Sequence, residues 1–483
     1  MSTLSVLLSS DLFHRIHAFQ DGIHLDVRPL KALEPVSFFV IQTGTSMTCE
    51  RRAALHQADA LLAPWYAAHG TSHIPCLFRW YKHTYDIVAT HAAYSGRLEV
   101  LDFLDAEYRI GFFRDLPLWT MAAANGHVHV LDFLHARQYM ASRRLEVTDY
   151  VGSSSRAVTW AVAAGHLAAV EWLHTHNIAC SSADAQDAAA EFGQLEILQW
   201  LHAHGIGQLT TWAMDKAAMN DHLDVLAWLH DHTNATCTTQ AMDDAARNGH
   251  LDILQWLHDH NNMMPTAISV HNAAATGHVD VLRWLLVHDP PKTPLSTWAI
   301  EGAAQNGHLE AVQLLHEDGW PSTTRAMDKA AGGGHLDIVQ WLHEQRSEGC
   351  TTSAMDGAAR DGHLEVVQWL HSHRTEGCTT KAMDRALHNG HVAVVWWLIE
   401  NRPDDCADPG FESVVMTGRV DLVQWFFRHR RSKSWSRHAA IANARRFGHQ
   451  ELLVYLEKGV PDACPCQPCA LLPQVPKETC CIQ

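Results

Sequence analysis

Residues 326–343 read AMDKAAGGGHLDIVQWLH, and residues 354–371 read AMDGAARDGHLEVVQWLH. The same phrase, A-M-D-x-A-A-x-x-G-H-L-[DE]-[VI]-[VL]-Q-W-L-H, returns along the chain with substitutions. Its glycine, or the Asp221 that replaces it, falls at 96, 126, 165, 193, 221, 249, 277, 307, 334, 362, 390, 418 and 448. Seven of the twelve intervals are 28 residues, three are 30, one is 27, and only 126 to 165 is long. A fixed period means a solenoid, in which each repeat buries its apolar face against its neighbours alone.

One repeat predicts two helices. Ala354, Met355, Ala358 and Ala359 recur at helical spacing and give a short helix one apolar stripe. Thr351 and Thr352 stand upstream as N-cap candidates, because a threonine oxygen can accept an unpaired amide of the first turn. Asp356 in that turn suits the positive end of the helix dipole. Gly362 stops the helix, since glycine tolerates positive φ. The second helix opens at His363 and carries Leu364, Val366, Val367, Trp369 and Leu370, which cover most of its circumference, as stacking on both sides requires. Ser372 to Gly377 is a polar turn that closes the repeat. The expected fold is all-α: helix, tight turn, helix, loop.

The run A-A-x-x-G-H-L-[DE]-[VI]-[VL]-x-x-L resembles the core of the ankyrin repeat over roughly residues 86–458, about 13 repeats. The T-P-L-H opening of that family is replaced here by x-A-M-D, so its histidine-centred hydrogen bonds do not carry over. The period is 28 residues rather than roughly 33. The shortfall is expected in the β-turn fingers, giving an ankyrin-type solenoid with blunt loops.

Composition narrows the class. A chain of 483 residues would ordinarily split into several domains, but a solenoid core grows in one dimension. The net charge of −17 argues against nucleic acid, whose phosphates need a basic stripe. No run of about 20 apolar residues spans a membrane, and MSTLSVLLSSDLFHR lacks the basic and long apolar regions of a secretory signal. Cys350, Cys378 and Cys406 recur at the repeat period. Stacked helices lie about 8–10 Å apart, beyond the roughly 7 Å reach of a disulfide, so reduced thiols in a cytoplasmic protein are expected.

Three regions follow. Residues 1–85 lack the phrase; Arg51 to Ala63 predicts a helix that Pro64 should end or kink. A helical cap over the first repeat is the expected role. The stretch S-x-D-L-F-H-R-I is similar to the opening of an F-box, and that resemblance implies an alternative, an adaptor delivering a bound target to a ubiquitin ligase. Residues 86–458 are the array, interrupted by a surface insertion from Tyr139 to Ser155. Residues 459–483 are proline- and cysteine-rich and predicted to be disordered. They end Cys480-Cys481-Ile482-Gln483, which fits the C-a-a-X pattern and makes Cys480 a prenylation candidate. Cys464, Cys466 and Cys469 could supply the second lipid that stable anchoring needs. Chance in a cysteine-rich tail and a small zinc site are the competing readings.

No catalytic residue and no cofactor is expected, because almost every polar residue of the array is a copy and neither G-x-x-x-x-G-K-[ST] nor H-E-x-x-H occurs. The pairs His202/His204, His230/His232, His258/His260 and His371/His373 invite a metal reading. Residues two apart on a helix point to different sides, and a helix C-terminus favours imidazole by its dipole, so structural roles are expected. His250, His363 and His391 should hydrogen-bond turn backbone. The periodic tryptophans, from Trp172 to Trp369, are expected in the core.

A partner, expected to be a protein, should bind where repeats differ. By resemblance, the two variable residues of A-A-x-x-G-H lie on the concave face: Arg247 with Asn248 and Arg360 with Asp361 are examples. The residue before A-M-D also varies, as Trp212, Trp298, Arg325 and Lys381 show. Tryptophan and arginine most often anchor interfaces, so Trp212 and Trp298 lead the candidates.

Overall fold

The computed structural model describes residues 25–33, 49–81, 83–108, 117–137, 139, 153–177, 184–288, 296–402, 411–429 and 437–458. Helices account for the regular structure, and no strand occurs among the described residues. From Thr84–Tyr94 with Leu98–Tyr108 to Arg437–Arg446 with Gln450–Lys458 the described residues form thirteen helix pairs that follow one another in the sequence. The chain divides into two compact halves, 1–241 and 242–483.

The repeat at 351–373 shows why the phrase folds as it does. Thr351 is extended (ψ 178°) and its hydroxyl oxygen accepts the Ser353 amide, which starts the helix Thr352–Asp361. Gly362 takes φ +86° and ends it. The His363 amide then returns to the Ala358 carbonyl at 2.9 Å, folding the second helix, Leu364–His373, back on the first. Ala354, Met355, Ala358 and Ala359 are buried on one side, Val366, Val367 and Leu370 on the other. Each large aliphatic side chain so buried contributes about 1.5–3 kcal/mol. The following loop, residues 346–351 or 374–379 in successive repeats, contains no strand, so the fingers are blunt.

Small residues set the stacking distance of the first helices. A Cβ placed on Gly357 would lie 3.3 Å from the Gly332 Cα of the preceding repeat. Positive φ is therefore only half of the demand at the G-H glycine. A Cβ on Gly362 would also stand 2.5 Å from the imidazole of His391 in the next repeat.

Ahead of the first pair, the helix Cys49–His69 packs on the helix Thr84–Tyr94. Pro64 does not end it. Proline in a helix interior costs about 3 kcal/mol, and the turns on either side of it carry Leu62, Trp65 and Tyr66, all buried, whose burial offsets that cost. His91 is fully buried and its Nε2 lies 3.0 Å from Asp59 on the packing helix. Tyr66 stacks on the same imidazole, and Arg97 sits over the Tyr66 ring at 5.1 Å.

The tryptophan expectation needs correction. Trp172, Trp200, Trp228, Trp256, Trp284, Trp341 and Trp369 are half-buried rather than core. The core positions of the second helix belong to the aliphatic residues flanking them, such as Leu370. The F-box-like stretch, most of the insertion after Tyr139, and the tail with Cys464, Cys466, Cys469 and Cys480 lie outside the described residues. Tyr139 itself is buried, and its carbonyl accepts the Trp119 indole at 2.7 Å.

Candidate interaction surface

The position before A-M-D lies in the first turn of each first helix. A hydroxyl two residues upstream ties down the backbone there; the Trp212 amide donates to the Thr210 hydroxyl at 3.1 Å and the Trp298 amide to the Ser296 hydroxyl at 3.2 Å. The side chain is left to project into solvent. Trp212 is 63% exposed and Trp298 is 66% exposed. In the N-terminal half, Lys216 reaches the Trp212 ring, 5.6 Å from its centroid. The helices Ala185–Glu191 and Thr211–Met219 flank a groove of about 670 Å³ with Trp212 as one wall.

In the C-terminal half, Ile268 stands at the place equivalent to Trp298 in the preceding repeat and is itself 57% exposed. His271 Nδ1 donates to the Trp298 carbonyl at 3.0 Å. Arg325 lies one repeat further on. Its guanidinium turns back to Glu301, with Nε 3.2 Å from Oε2, and Lys329 approaches the same oxygen at 3.4 Å. Glu301 is buried, so these two cations compensate a charge inside the stack. Arg247 is exposed and leans on Asp244 at 3.4 Å. Asn248 is exposed beside it. Arg360 and Asp361 form a two-bond pair with each other, at 2.9 and 2.6 Å. That bond holds the Asp361 carboxyl below the usual carboxylate range and the Arg360 guanidinium above its own. Lys381 is exposed. The candidates thus lie on exposed or half-buried parts of the first helices.

Three networks between repeats escaped the sequence reading. The first corrects the role of the A-M-D aspartate. Asp356 is buried and accepts both the amide and the hydroxyl of Thr379, the cap of the next repeat. Asp187 with Thr210, Asp215 with Thr238 and Asp328 with Thr351 repeat the arrangement. The signal was available, since an Asp–Thr spacing of 23 residues recurs with the period. Burial raises the Asp328 carboxyl above its ordinary value, with the Thr351 bonds opposing.

The second network involves the G-H histidine. It bonds backbone, as expected of it, but the backbone of the preceding repeat: His335 Nε2 lies 3.0 Å from the Gln305 carbonyl, and His449 Nε2 lies 3.0 Å from that of Met416. Burial lowers His308 and His127 below the ordinary imidazole value.

The third is an aromatic ladder along the second helices. Trp369 stacks on His373 of its own helix at 4.5 Å and meets His343 of the preceding repeat edge-on at 5.3 Å. Trp200 does the same with His204 and His174. His373 Nδ1 also donates to the Trp369 carbonyl, closing the helix end. Arg374 donates to His343 Nδ1 at 3.3 Å and pairs with Glu376. Both histidines of the W-L-H-x-H phrase are thus committed to tryptophan faces and edges. Among the described residues no group of three or more His, Cys, Asp or Glu is placed to hold a metal ion. Cys76, Cys237, Cys350 and Cys378 carry no disulfide, and burial pushes the Cys350 thiol up to about 11. No described helix is long and apolar enough to cross a membrane.

No curated protein matches the chain. The family model for ankyrin repeats (3 copies) matches residues 186–267, 244–326 and 327–409. Helix pairs, capped by threonine, turned at glycine and stacked through their alanine faces, occupy that same stretch. Residues 186–409 are therefore an ankyrin-repeat array.

Proposed function

We propose that the array is a non-enzymatic platform for a partner protein, held on exposed side chains of its first helices, with Trp212 as an anchor in one half and Trp298 in the other. One observation carries this reading. The residue before A-M-D, or its equivalent, is Trp212, Gln240, Ile268, Trp298, Arg325, Ser353 and Lys381 in successive repeats. Stacking tolerates all of these, so nothing in the framework requires tryptophan twice. Two tryptophans about two-thirds exposed nonetheless stand there. Large exposed aromatics in soluble proteins mark contact surfaces.

The test is a Trp212→Ala/Trp298→Ala variant of the full chain, compared with the unaltered chain in quantitative affinity capture from cell extract. The expected result is selective loss of retained proteins at unchanged helix content and melting temperature. Retention of the same proteins in the same amounts would remove the two tryptophans as anchors.

A further inference from the structure

One position of the first repeat breaks the pattern of the others. Five residues before the turn glycine, or the Asp221 that replaces it, stand Lys216, Lys329 and Arg385 in later repeats, all half-buried or exposed. In the first repeat the same place holds His91, which is fully buried under the helix Cys49–His69. Its Nε2 lies 3.0 Å from Asp59 of that helix. A carboxylate can only accept, so Nε2 carries the proton. A second proton would have to go on Nδ1, which is buried and has no hydrogen-bond partner among the described residues. Tyr66 of the same covering helix takes a face of the ring. Protonation would place a charge and an unpaired donor inside the joint, and both cost free energy.

The surroundings offer that charge one partner and one opponent. Asp59 favours it, and Arg97 opposes it. Arg97 itself lies over the Tyr66 ring and 3.8 Å from Glu99. Three helices besides Cys49–His69 pack against the helix of His91. Leu118–Ala124 carries no titratable group. Ile74–Trp80 carries Cys76 and an exposed Arg79. On Leu98–Tyr108, Asp102 and Asp105 pair with Arg137, and Glu107 is exposed. Asp86 stands five residues back on the helix of His91 itself.

We propose that the contact between the helix Cys49–His69 and the first repeat is an acid-sensitive joint, which opens locally when His91 takes a second proton. Opening lets the imidazolium reach water. Leu55, Leu62 and Trp65, buried on the covering helix, keep the event a local fluctuation rather than a release. Burial lowers the proton affinity of the closed imidazole below its ordinary value, with Asp59 opposing and Arg97 adding. The opened imidazole therefore takes its proton at higher pH. The closed joint is favoured in full above about pH 6.5 and weakens as pH falls below it.

The experiment is hydrogen exchange on the full chain at pH 7.5 and pH 5.5, with rates corrected for the intrinsic effect of pH. The expected result is a fall in protection over residues 55–66 of about threefold or more, with the helix Thr352–Asp361 changing less. His91→Gln keeps a donor for Asp59 and takes no proton, so it should flatten the fall. Asp59→Asn keeps an acceptor but removes the charge that favours imidazolium in the closed joint, so it should steepen the fall. A pair with a structural role alone would instead lose protection equally at both pH values in both variants. That pattern, or a His91→Gln chain as acid-sensitive as the parent, overturns the proposal. The Asp59 side chain is 50% exposed, so Asp59→Asn carries the test if His91→Gln does not fold.

Discussion

Asp356 holds Thr379 by two bonds across the boundary between repeats, Oδ1 to the amide at 2.7 Å and Oδ2 to the hydroxyl at 2.6 Å. Thr379 in turn accepts the Lys381 amide at 3.2 Å, so one carboxylate orients the cap that starts the next helix. Removing it leaves a buried donor pair and a loosened cap. Asp356→Ala should cost about 1–3 kcal/mol, and Asp356→Asn less, since its amide oxygen still accepts one bond. Urea unfolding followed by circular dichroism gives the loss. Hydrogen exchange should place it at the helix Thr380–His388, because a solenoid feels a defect at its nearest interface. Equal costs for Ala and Asn would show that the second bond contributes nothing.

Gly362 and Gly390 occupy the same place in consecutive repeats, with φ of +86° and +79°. Only Gly362 lies under an imidazole; a Cβ at Gly390 meets nothing within 4 Å. The left-handed conformation alone costs a non-glycine residue about 1–2 kcal/mol. Gly390→Ala should stop there. Gly362→Ala must also displace His391 and should cost roughly 2–5 kcal/mol. The two midpoints in one denaturant series decide it; equal losses would show that the histidine yields freely.

Much of this molecule was legible in the sequence. Period and apolar spacing placed the helix pairs, Thr351 marked a helix start, and Gly362 marked its end. These features are local, and each repeat states them again. What escaped was what one repeat does to the next. Asp356 looked like a dipole residue because its partner stands 23 positions on. Trp369 looked like core because a fixed period usually means burial, whereas its indole is sandwiched by His373 and His343 at the solvent edge. Trp212 and Trp298 were legible as candidates for the opposite reason: they break the repetition. The groove beside Trp212 was not, since it joins side chains of two repeats.

The aromatic ladder predicts a graded response at Trp369. Ring pairs of this kind contribute about 0.5–1.5 kcal/mol each beyond area burial, and Trp369 makes two. Trp369→Phe keeps both faces and should stay within about 1 kcal/mol of the native protein. Trp369→Ala should lose about 1–3 kcal/mol, measured as a fall in urea midpoint. If Ala and Phe behave alike, the ladder is ornament and the aliphatic core carries the second helices unaided.

Acid should loosen the stack through its buried histidines. His308 and His127 are lowered by burial, with neighbouring histidines adding to the effect and bonds to the Ala275 and Tyr94 backbones opposing it. His91 is lowered by burial against the pull of Asp59. A folded-state value below 6.5 means that the unfolded chain takes the proton first. The stability from these groups is complete above about pH 6.5 and drains away as pH falls through their folded values. The urea midpoint should therefore drop between pH 7.5 and pH 5. Asp328, raised by burial, acts with the opposite sign at lower pH, so measurements stay above 5. The array supplies its own control residue. Gln194 stands where other repeats have this histidine and covers Gly165 as His308 covers Gly277. His127→Gln/His308→Gln should keep the midpoint at pH 7.5 and flatten its fall toward pH 5. A variant as acid-sensitive as the parent would show that neither imidazole is the group responsible.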